Sequence, residues 1–174
     1  MFGKALGNGY AITAVIGNKS VMKKAESSFI SSTFWTERIG FAAGIVTLEE
    51  MERLKSWEKL CESGRYLNIN WRKLAEKHGL KIKISGIEAI TSFQFNYKNH
   101  LAYKTFLTQE MLKFGYLASD VVYLNIFHTK KIIDSYLKHL DKIFQQIKKF
   151  EVNKVKTSSF LKYKICHNTF RRLN

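Results

Sequence analysis

The chain has 174 residues, 45% of them hydrophobic and 14% aromatic, so it can bury one ordinary core and is not a disordered protein. Its net charge of +15 raises nucleic acid or an anionic membrane as partners, but the lysines are spread along almost every segment, which favours ordinary solvated basicity. Two cysteines without CxxC or CxxH spacing indicate neither a zinc site nor a disulfide framework, and no signal-peptide or membrane-spanning pattern is present, so we expect a cytoplasmic protein with no nucleic-acid and no membrane partner.

The first part of the chain combines a β-branched run with a long helical pattern. The run YAITAVIG at 10–17 predicts a buried strand that is covered on both faces. A short helix is expected over 21–26. From residue 36, apolar residues at three- and four-residue steps predict one long helix, or two joined near Lys55, that ends at a His78-Gly79 cap.

The second part of the chain alternates between strand and helix periods. KIKISG and IEAITSFQF predict an antiparallel pair with a turn near Ser85-Gly86, and one face of the second strand carries Ala89, Thr91, Phe93 and Phe95. A helix is expected over 100–114, a third strand over 121–127 and a strongly amphipathic helix over 130–150. This order is typical of an α+β unit with about three antiparallel strands. The basic segment that follows contains aromatic residues, which indicate that part of it packs against the fold.

The glycine-rich opening, MFGKALGNGY, is the first candidate site because it surrounds Lys4. It fails as a dinucleotide loop, since Ile12 stands where GxGxxG needs its third glycine, and GNKS at 17–20 fails as a Walker A loop. A lysine amine can instead condense with an aldehyde, most commonly that of pyridoxal phosphate, and nearby glycines let the backbone pass close to such a cofactor. Surface solvation is the alternative for a lone lysine.

Three long stretches resemble, in chain order, segments of the class-III pyridoxal-phosphate-dependent aminotransferases. The segment around the Schiff-base lysine of that family is similar to FGKALGNGYAITAVIGNKSVM. The serine/threonine turn before a long Ala-rich helix is similar to SSFISSTFWTERIGFAAGIVTLEEM, and the last strand and closing helix to KFGYLASDVVYLNIFHTKKIIDSYL. The ending ICHNTFRRLN resembles a subgroup near glutamate-1-semialdehyde aminomutase. Ala11 and Phe41 depart from the pattern, since family members often carry proline there.

The resemblance implies a fold and a division of the chain. The family has the α/β fold of the fold type I PLP-dependent transferases, and this chain would be the end of its large domain plus an α+β C-terminal small domain with a short antiparallel sheet. We expect residues 1–35 to be a remnant of the large PLP-binding domain. Residues 36–150 would form the linking helix and the small domain, and residues 151–174 a basic C-terminal tail.

The resemblance also implies site residues. Lys4 matches the lysine that forms the internal aldimine with pyridoxal 5'-phosphate and moves a proton as general base and acid. Ser32 and Thr33 match the turn that binds the cofactor phosphate of the other subunit, with a plain helix N-cap as the alternative. A structural hydrogen bond is favoured over catalysis for His128. The arginine pair at 171–172 could meet a substrate carboxylate or lie on the surface.

The implied function is that of a PLP-dependent aminotransferase or aminomutase, a homodimer that acts on an amino-acid or amino-sugar type of small molecule. In the family, the acidic partner of the pyridine nitrogen, the aromatic ring that stacks on the cofactor and the glycine-rich phosphate turn precede the lysine. The chain is therefore expected to be a C-terminal fragment that is inactive alone, whether through truncation or as half of a split enzyme. A non-catalytic, basic α+β binding or structural module remains the alternative.

Overall fold

The computed structural model describes residues 1–30, 33–35 and 37–167. They belong to two compact units, Met1–Ser56 and Trp57–Asn174. The division falls within the range assigned from the sequence to a linking helix and small domain, and the boundary expected at residue 35 stays a prediction. The helices are α1 (Lys19–Met22), α2 (Arg38–Leu54), α3 (Ser56–Lys77), α4 (His100–Leu112) and α5 (Lys130–Val152), and the strands are β1 (Ile82–Ile87), β2 (Ile90–Phe95) and β3 (Val121–Tyr123).

The first unit contains α1, α2 and short 3-10 turns at Lys4–Leu6 and Lys23–Ser27. The strand predicted over 10–17 is wrong: within this described run, only Ala14 pairs, through an antiparallel bridge to Phe2. Val15 and Ile16 are exposed. A strand needs hydrogen-bonding neighbours along its length, and apolar composition alone does not supply them.

Helices α2 and α3 confirm the prediction of two helices joined near Lys55. Lys55 has the left-handed conformation, with φ of 48°, and its N–H bonds to the Glu52 carbonyl at 3.2 Å. The predicted cap at the end of α3 is also confirmed, since Gly79 has φ of +59° and the Leu80 N–H returns to the Ala75 carbonyl at 2.8 Å. This arrangement satisfies carbonyls that the last helical turn leaves unpaired.

The three strands form one antiparallel sheet in the order β1-β2-β3. The predicted pairing of β1 with β2 is confirmed, but pairing continues to Ile87↔Ile90, so the turn lies at 88–89 and not at Ser85-Gly86. Gly86 is a paired strand residue with φ of +93°, where an added Cβ would lie 2.3 Å from the Ile90 carbonyl oxygen. The third strand is shorter than the predicted 121–127.

The core of the second unit lies between the buried face of β2 and helices α3, α4 and α5. Trp71 and Phe144 are fully buried, and their rings meet the edge of Phe93 at centroid distances of 4.8 and 5.7 Å. Phe144 also meets Phe95 at 5.4 Å. The apolar stripe predicted for the last helix is confirmed as the buried face of α5, formed by Ile133, Tyr136, Leu137, Leu140, Ile143, Phe144 and Ile147.

The described part of the basic tail packs on the second unit, as expected from its aromatic residues. Leu161 lies against the core cluster. The Gln109 side chain donates to the Phe160 carbonyl at 3.0 Å and accepts from the Lys162 N–H at 2.7 Å. The Cys166 N–H donates to Thr105 Oγ1 at 3.0 Å. Among the described residues, no helix has the length and apolar character to cross a membrane.

Candidate functional site

The segment Gly3–Tyr10, which we call the Lys4 loop, is a series of tight turns. The N–H groups of Leu6, Asn8 and Tyr10 each bond to the carbonyl three residues earlier, at 3.1, 3.2 and 3.0 Å. Two bonds of the Phe2–Ala14 bridge, at 2.7 and 2.9 Å, join the chain just before the loop to the chain just after it. Hydrogen bonds within the loop, and between the chain before and after it, therefore hold the backbone around Lys4 in place.

Lys4 itself has a backbone conformation that residues other than glycine rarely adopt. Its φ is +49°, and it begins the 3-10 turn. Such a left-handed residue persists only where the surrounding structure imposes it. The side chain is exposed, and within the described residues it has no hydrogen bond or ion pair. The amine thus has no partner among the described residues, while its backbone is held by the hydrogen bonds of the loop.

Two glycines of the loop explain why this segment is glycine-rich. Gly7 is buried, and an added Cβ would lie 2.1 Å from the Tyr10 carbonyl oxygen, so no larger residue fits without moving the turn. Gly9 has φ of +105°, and no described atom lies within 4 Å of the place that a Cβ would take. The loop is hence closely packed on one side and has open space beside Gly9.

Helix α2 provides the surface on which the segment after Lys4 lies. Gly40 and Gly44 are its buried residues. An added Cβ on Gly40 would lie 2.5 Å from the Ala11 carbonyl oxygen, and one on Gly44 would lie 3.3 Å from Ile12 Cδ1. Sequence reasoning missed this contact, although two glycines four residues apart on a helix share one face and are a recognisable signal.

The phosphate-binding turn expected from the resemblance contains Ser32 and Thr33. Ser32 lies outside the described residues. Thr33 is exposed in a turn ahead of α2, and the residue at the N-cap is Glu37, so the alternative of Thr33 as N-cap is wrong. No hydrogen bond recorded among the described residues joins Thr33 to the Lys4 loop. The role of Thr33 in phosphate binding therefore stays a prediction.

His128 has the structural hydrogen bond that the sequence favoured. Its Nδ1 accepts the Asn125 N–H at 3.2 Å, which fixes the turn between β3 and α5. It lines an apolar cleft of about 510 Å³ in the second unit, together with residues that include Tyr116, Tyr123 and Tyr136. The arginine pair at 171–172 lies outside the described residues.

The fit of pyridoxal phosphate can be tested at the attachment point. The Lys4 amine is exposed and has no competing partner among the described residues, and the space beside Gly9 is open. These features fit a lysine that binds an aldehyde covalently. They concern attachment alone, because the partners of the pyridine ring and of its nitrogen are expected from segments that precede Lys4 in the family.

Comparison with known proteins found several relatives, although no family model matches the chain. A 3-aminobutyryl-CoA aminotransferase of Cloacimonas acidaminovorans is 32% identical over 109 residues, which are 62% of this chain and 26% of that protein. A glutamate-1-semialdehyde 2,1-aminomutase of Methanocaldococcus jannaschii is 24% identical over 160 residues, which are 82% of this chain and 37% of that protein. The chain therefore spans about a quarter to somewhat over a third of the length of these relatives.

A solved structure is similar to most of the chain. It is the PLP internal aldimine form of the FumI protein of Sphingopyxis sp. MTA144, with a TM-score of 0.75 and 23% identity, covering 84% of this chain and 36% of that one. The likeness confirms the predicted fold type I class. Together with the relatives, it confirms the predicted resemblance to the class-III aminotransferases and glutamate-1-semialdehyde aminomutases, and the partial coverage fits a C-terminal part of such an enzyme.

Proposed function

We propose that the chain is the C-terminal part of a PLP-dependent aminotransferase or aminomutase in which Lys4 holds the cofactor and transfers the proton at the substrate α-carbon. The observation that carries this proposal is the Lys4 loop, which fixes the lysine backbone at φ of +49° while the amine stays exposed. It occurs in a chain whose relatives are aminotransferases and aminomutases.

When bound, pyridoxal phosphate withdraws the negative charge that develops at the substrate α-carbon. The Lys4 amine would hold the cofactor covalently at its aldehyde carbon, with the aldehyde oxygen leaving as water, and would take up and return the proton at the substrate α-carbon. A side chain on a fixed backbone, with no competing ion pair in the part of the chain that the structure describes, suits both roles because it returns to the same place after each exchange.

The remaining parts of the site follow from the resemblance. Ser32 and Thr33 precede α2, and we infer that they bind the cofactor phosphate of a partner subunit in a cytoplasmic homodimer. The substrate is an amino-acid or amino-sugar type of small molecule, a class that the names of the relatives support. The comparisons do not favour the alternative of a non-catalytic basic module.

Trapping with borohydride tests the attachment. A full-length protein that also contains the segments expected to precede Lys4 is incubated with pyridoxal phosphate, reduced and digested, and the pyridoxyl label is mapped by mass spectrometry. Because those segments are expected to hold the cofactor ring beside Lys4, we expect Lys4 to be labelled several times faster than Lys19, an exposed lysine of the same unit. The variant Lys4→Arg should lose the label at position 4, whereas Lys19→Arg should keep it.

The 174-residue chain by itself tests whether it is sufficient alone. Without the segments expected to hold the pyridine ring and its nitrogen, we expect no stoichiometric cofactor absorbance band before reduction. A robust band would contradict this prediction. Equal labelling of Lys4 and Lys19 in the full-length protein would overturn the assignment of Lys4.

A further inference from the structure

The buried face of α2 in the first unit is made of backbone. Gly40 and Gly44 are buried, whereas Phe41 and Ile45, which follow each of them, are exposed. Residues four apart lie one above the other on a helix. The two glycines, four positions apart, thus give the helix a narrow strip without side chains that faces the rest of its unit.

The strip is occupied by the segment that follows Lys4. The carbonyl oxygen of Ala11 lies 2.5 Å from the position of a Gly40 Cβ, and Ile12 Cβ lies 3.3 Å from it. At Gly44, the nearest atoms are Ile12 Cδ1 at 3.3 Å and the Leu6 carbonyl oxygen at 3.8 Å. We call this arrangement the glycine contact. It touches the chain on both sides of the turn that ends at Tyr10.

The glycine contact bears on Lys4 because the loop is closed. Leu6 bonds back to the Gly3 carbonyl, directly before Lys4, and the Phe2–Ala14 bridge joins both ends of the segment. Holding Leu6 and Ile12 against α2 therefore limits the positions that the Lys4 backbone can take. The Lys4 side chain stays exposed, and the glycine contact does not involve its amine.

We propose that Gly40 and Gly44 are positioning residues for Lys4: they let Leu6, Ala11 and Ile12 lie against the backbone of α2 and so fix the place from which the amine meets the cofactor aldehyde. The proposal rests on the proposed function for the role of the amine. The contact itself is a property of this chain and can be measured without cofactor.

The test compares Gly40→Ala and Gly44→Ala with Gly17→Ala. An added Cβ at Gly17 would lie 3.4 Å from Met22 Cγ and Sδ, an ordinary contact, so this control has the same chemistry in the same unit. Gly40→Ala should have the larger effect because its neighbour is a carbonyl oxygen at 2.5 Å. Gly44→Ala is the milder variant and is the informative one if Gly40→Ala does not fold.

Two readouts separate the contact from the chemistry. The first is hydrogen exchange at the amides of Leu6, Asn8 and Tyr10, which should become faster in the α2 variants and not in Gly17→Ala. The second is the ratio of pyridoxyl labelling at Lys4 to that at Lys19 after reduction of the full-length protein, in which the preceding segments are expected to hold the cofactor. The ratio should fall by roughly threefold or more in Gly40→Ala, because misplacing a reacting group slows its reaction.

A rescue variant makes the test specific. The methyl nearest to the Gly44 position is Ile12 Cδ1, and valine lacks it. Adding Ile12→Val to Gly44→Ala should therefore restore both the exchange rates and the labelling ratio, while Ile12→Val alone changes neither. A general loss of stability in the helix would not be restored in this way.

The outcomes distinguish the two proposals. Wild-type exchange rates or a wild-type labelling ratio in both α2 variants would overturn the positioning role. Equal labelling of Lys4 and Lys19 in the unaltered full-length protein would overturn the proposed function of Lys4. In that case the hydrogen-exchange rates alone test the glycine contact. Faster amide exchange in Gly44→Ala that Ile12→Val reverses would support it.

Discussion

Replacing Lys4 by glycine should stabilise the loop while it removes the reactive amine. Lys4 has φ of +49°, and the left-handed region costs a residue with a Cβ about 1–2 kcal/mol. Glycine avoids that cost but loses about 0.5–1 kcal/mol more backbone entropy on folding. The net gain expected for Lys4→Gly is therefore about 0.5–1 kcal/mol.

Hydrogen exchange monitored by mass spectrometry or NMR measures this gain. The amides of Leu6 and Asn8 are bonded within the loop, so a gain of this size should slow their exchange about two- to fivefold. Lys4→Ala keeps the Cβ and should show no slowing. Both variants lose the pyridoxyl label at position 4, so the stability of the loop and the function of the amine are separated.

Lys154 provides a matched control for the backbone effect. It is also an exposed lysine with a left-handed φ, of 51°, and the following Val155 N–H bonds to the Phe150 carbonyl at 3.2 Å. Lys154→Gly should slow exchange at Val155 by a similar factor without changing labelling at Lys4. If Lys154→Gly slows exchange and Lys4→Gly does not, the conformation of Lys4 is not strained and our reasoning about the loop is wrong.

Two predictions concern the second unit. Phe144→Ala should lower the free energy of unfolding, measured in urea, by about 3–5 kcal/mol because the ring is fully buried. Phe127→Ala, at a side chain that is 75% exposed, should lower it by under about 0.5 kcal/mol. Equal effects of the two substitutions would contradict the placement of the core. Burial acts to raise the pKa of the Asp141 carboxyl, but hydrogen bonds from Lys77 and His78, both at 2.6 Å, outweigh it and hold the pKa below its usual 3.8. A carboxyl whose pKa is lowered in the folded state stabilises the fold at pH values above its unfolded-state pKa. Asp141→Asn should therefore lower the free energy of unfolding by about 1 kcal/mol near neutral pH, after allowance for solvent screening, and this loss should vanish as the pH falls below 3.8 through the lowered pKa. A loss of stability that is the same at pH 7 and pH 3 would refute this assignment.

Periodicity predicted the second unit well because its elements bury one clear face. The apolar stripe along α5 and the alternation of Thr91, Phe93 and Phe95 on β2 can each be recognised from the spacing of buried residues along the sequence. The predicted position of the turn after β1 is wrong because glycine is typical of turns, whereas Gly86 pairs with Thr91 inside the sheet. The structure uses it as a strand residue at which the Ile90 carbonyl leaves no room for a Cβ.

The first unit was harder to predict because its structure depends on which segments meet. The run 10–17 has the composition of a strand, yet only Ala14 finds a pairing partner among the described residues. The glycine contact joins residues about 30 positions apart in the chain, which local periods cannot reveal. For the candidate site, Lys4 was found through resemblance to a family, since no spacing of residues identifies a lone lysine.

The way in which the tail crosses α4 determines where the chain can be cut. Its charge and lack of periodicity would make it an obvious segment to remove in order to improve expression or crystallisation. Removal after residue 150 would take away the Phe160 ring, whose centroid lies 4.9 Å from that of Phe150, and would leave the Gln109 amide without both of its backbone partners. Recombinant versions should therefore retain the tail at least through Cys166, whose N–H donates to Thr105 Oγ1.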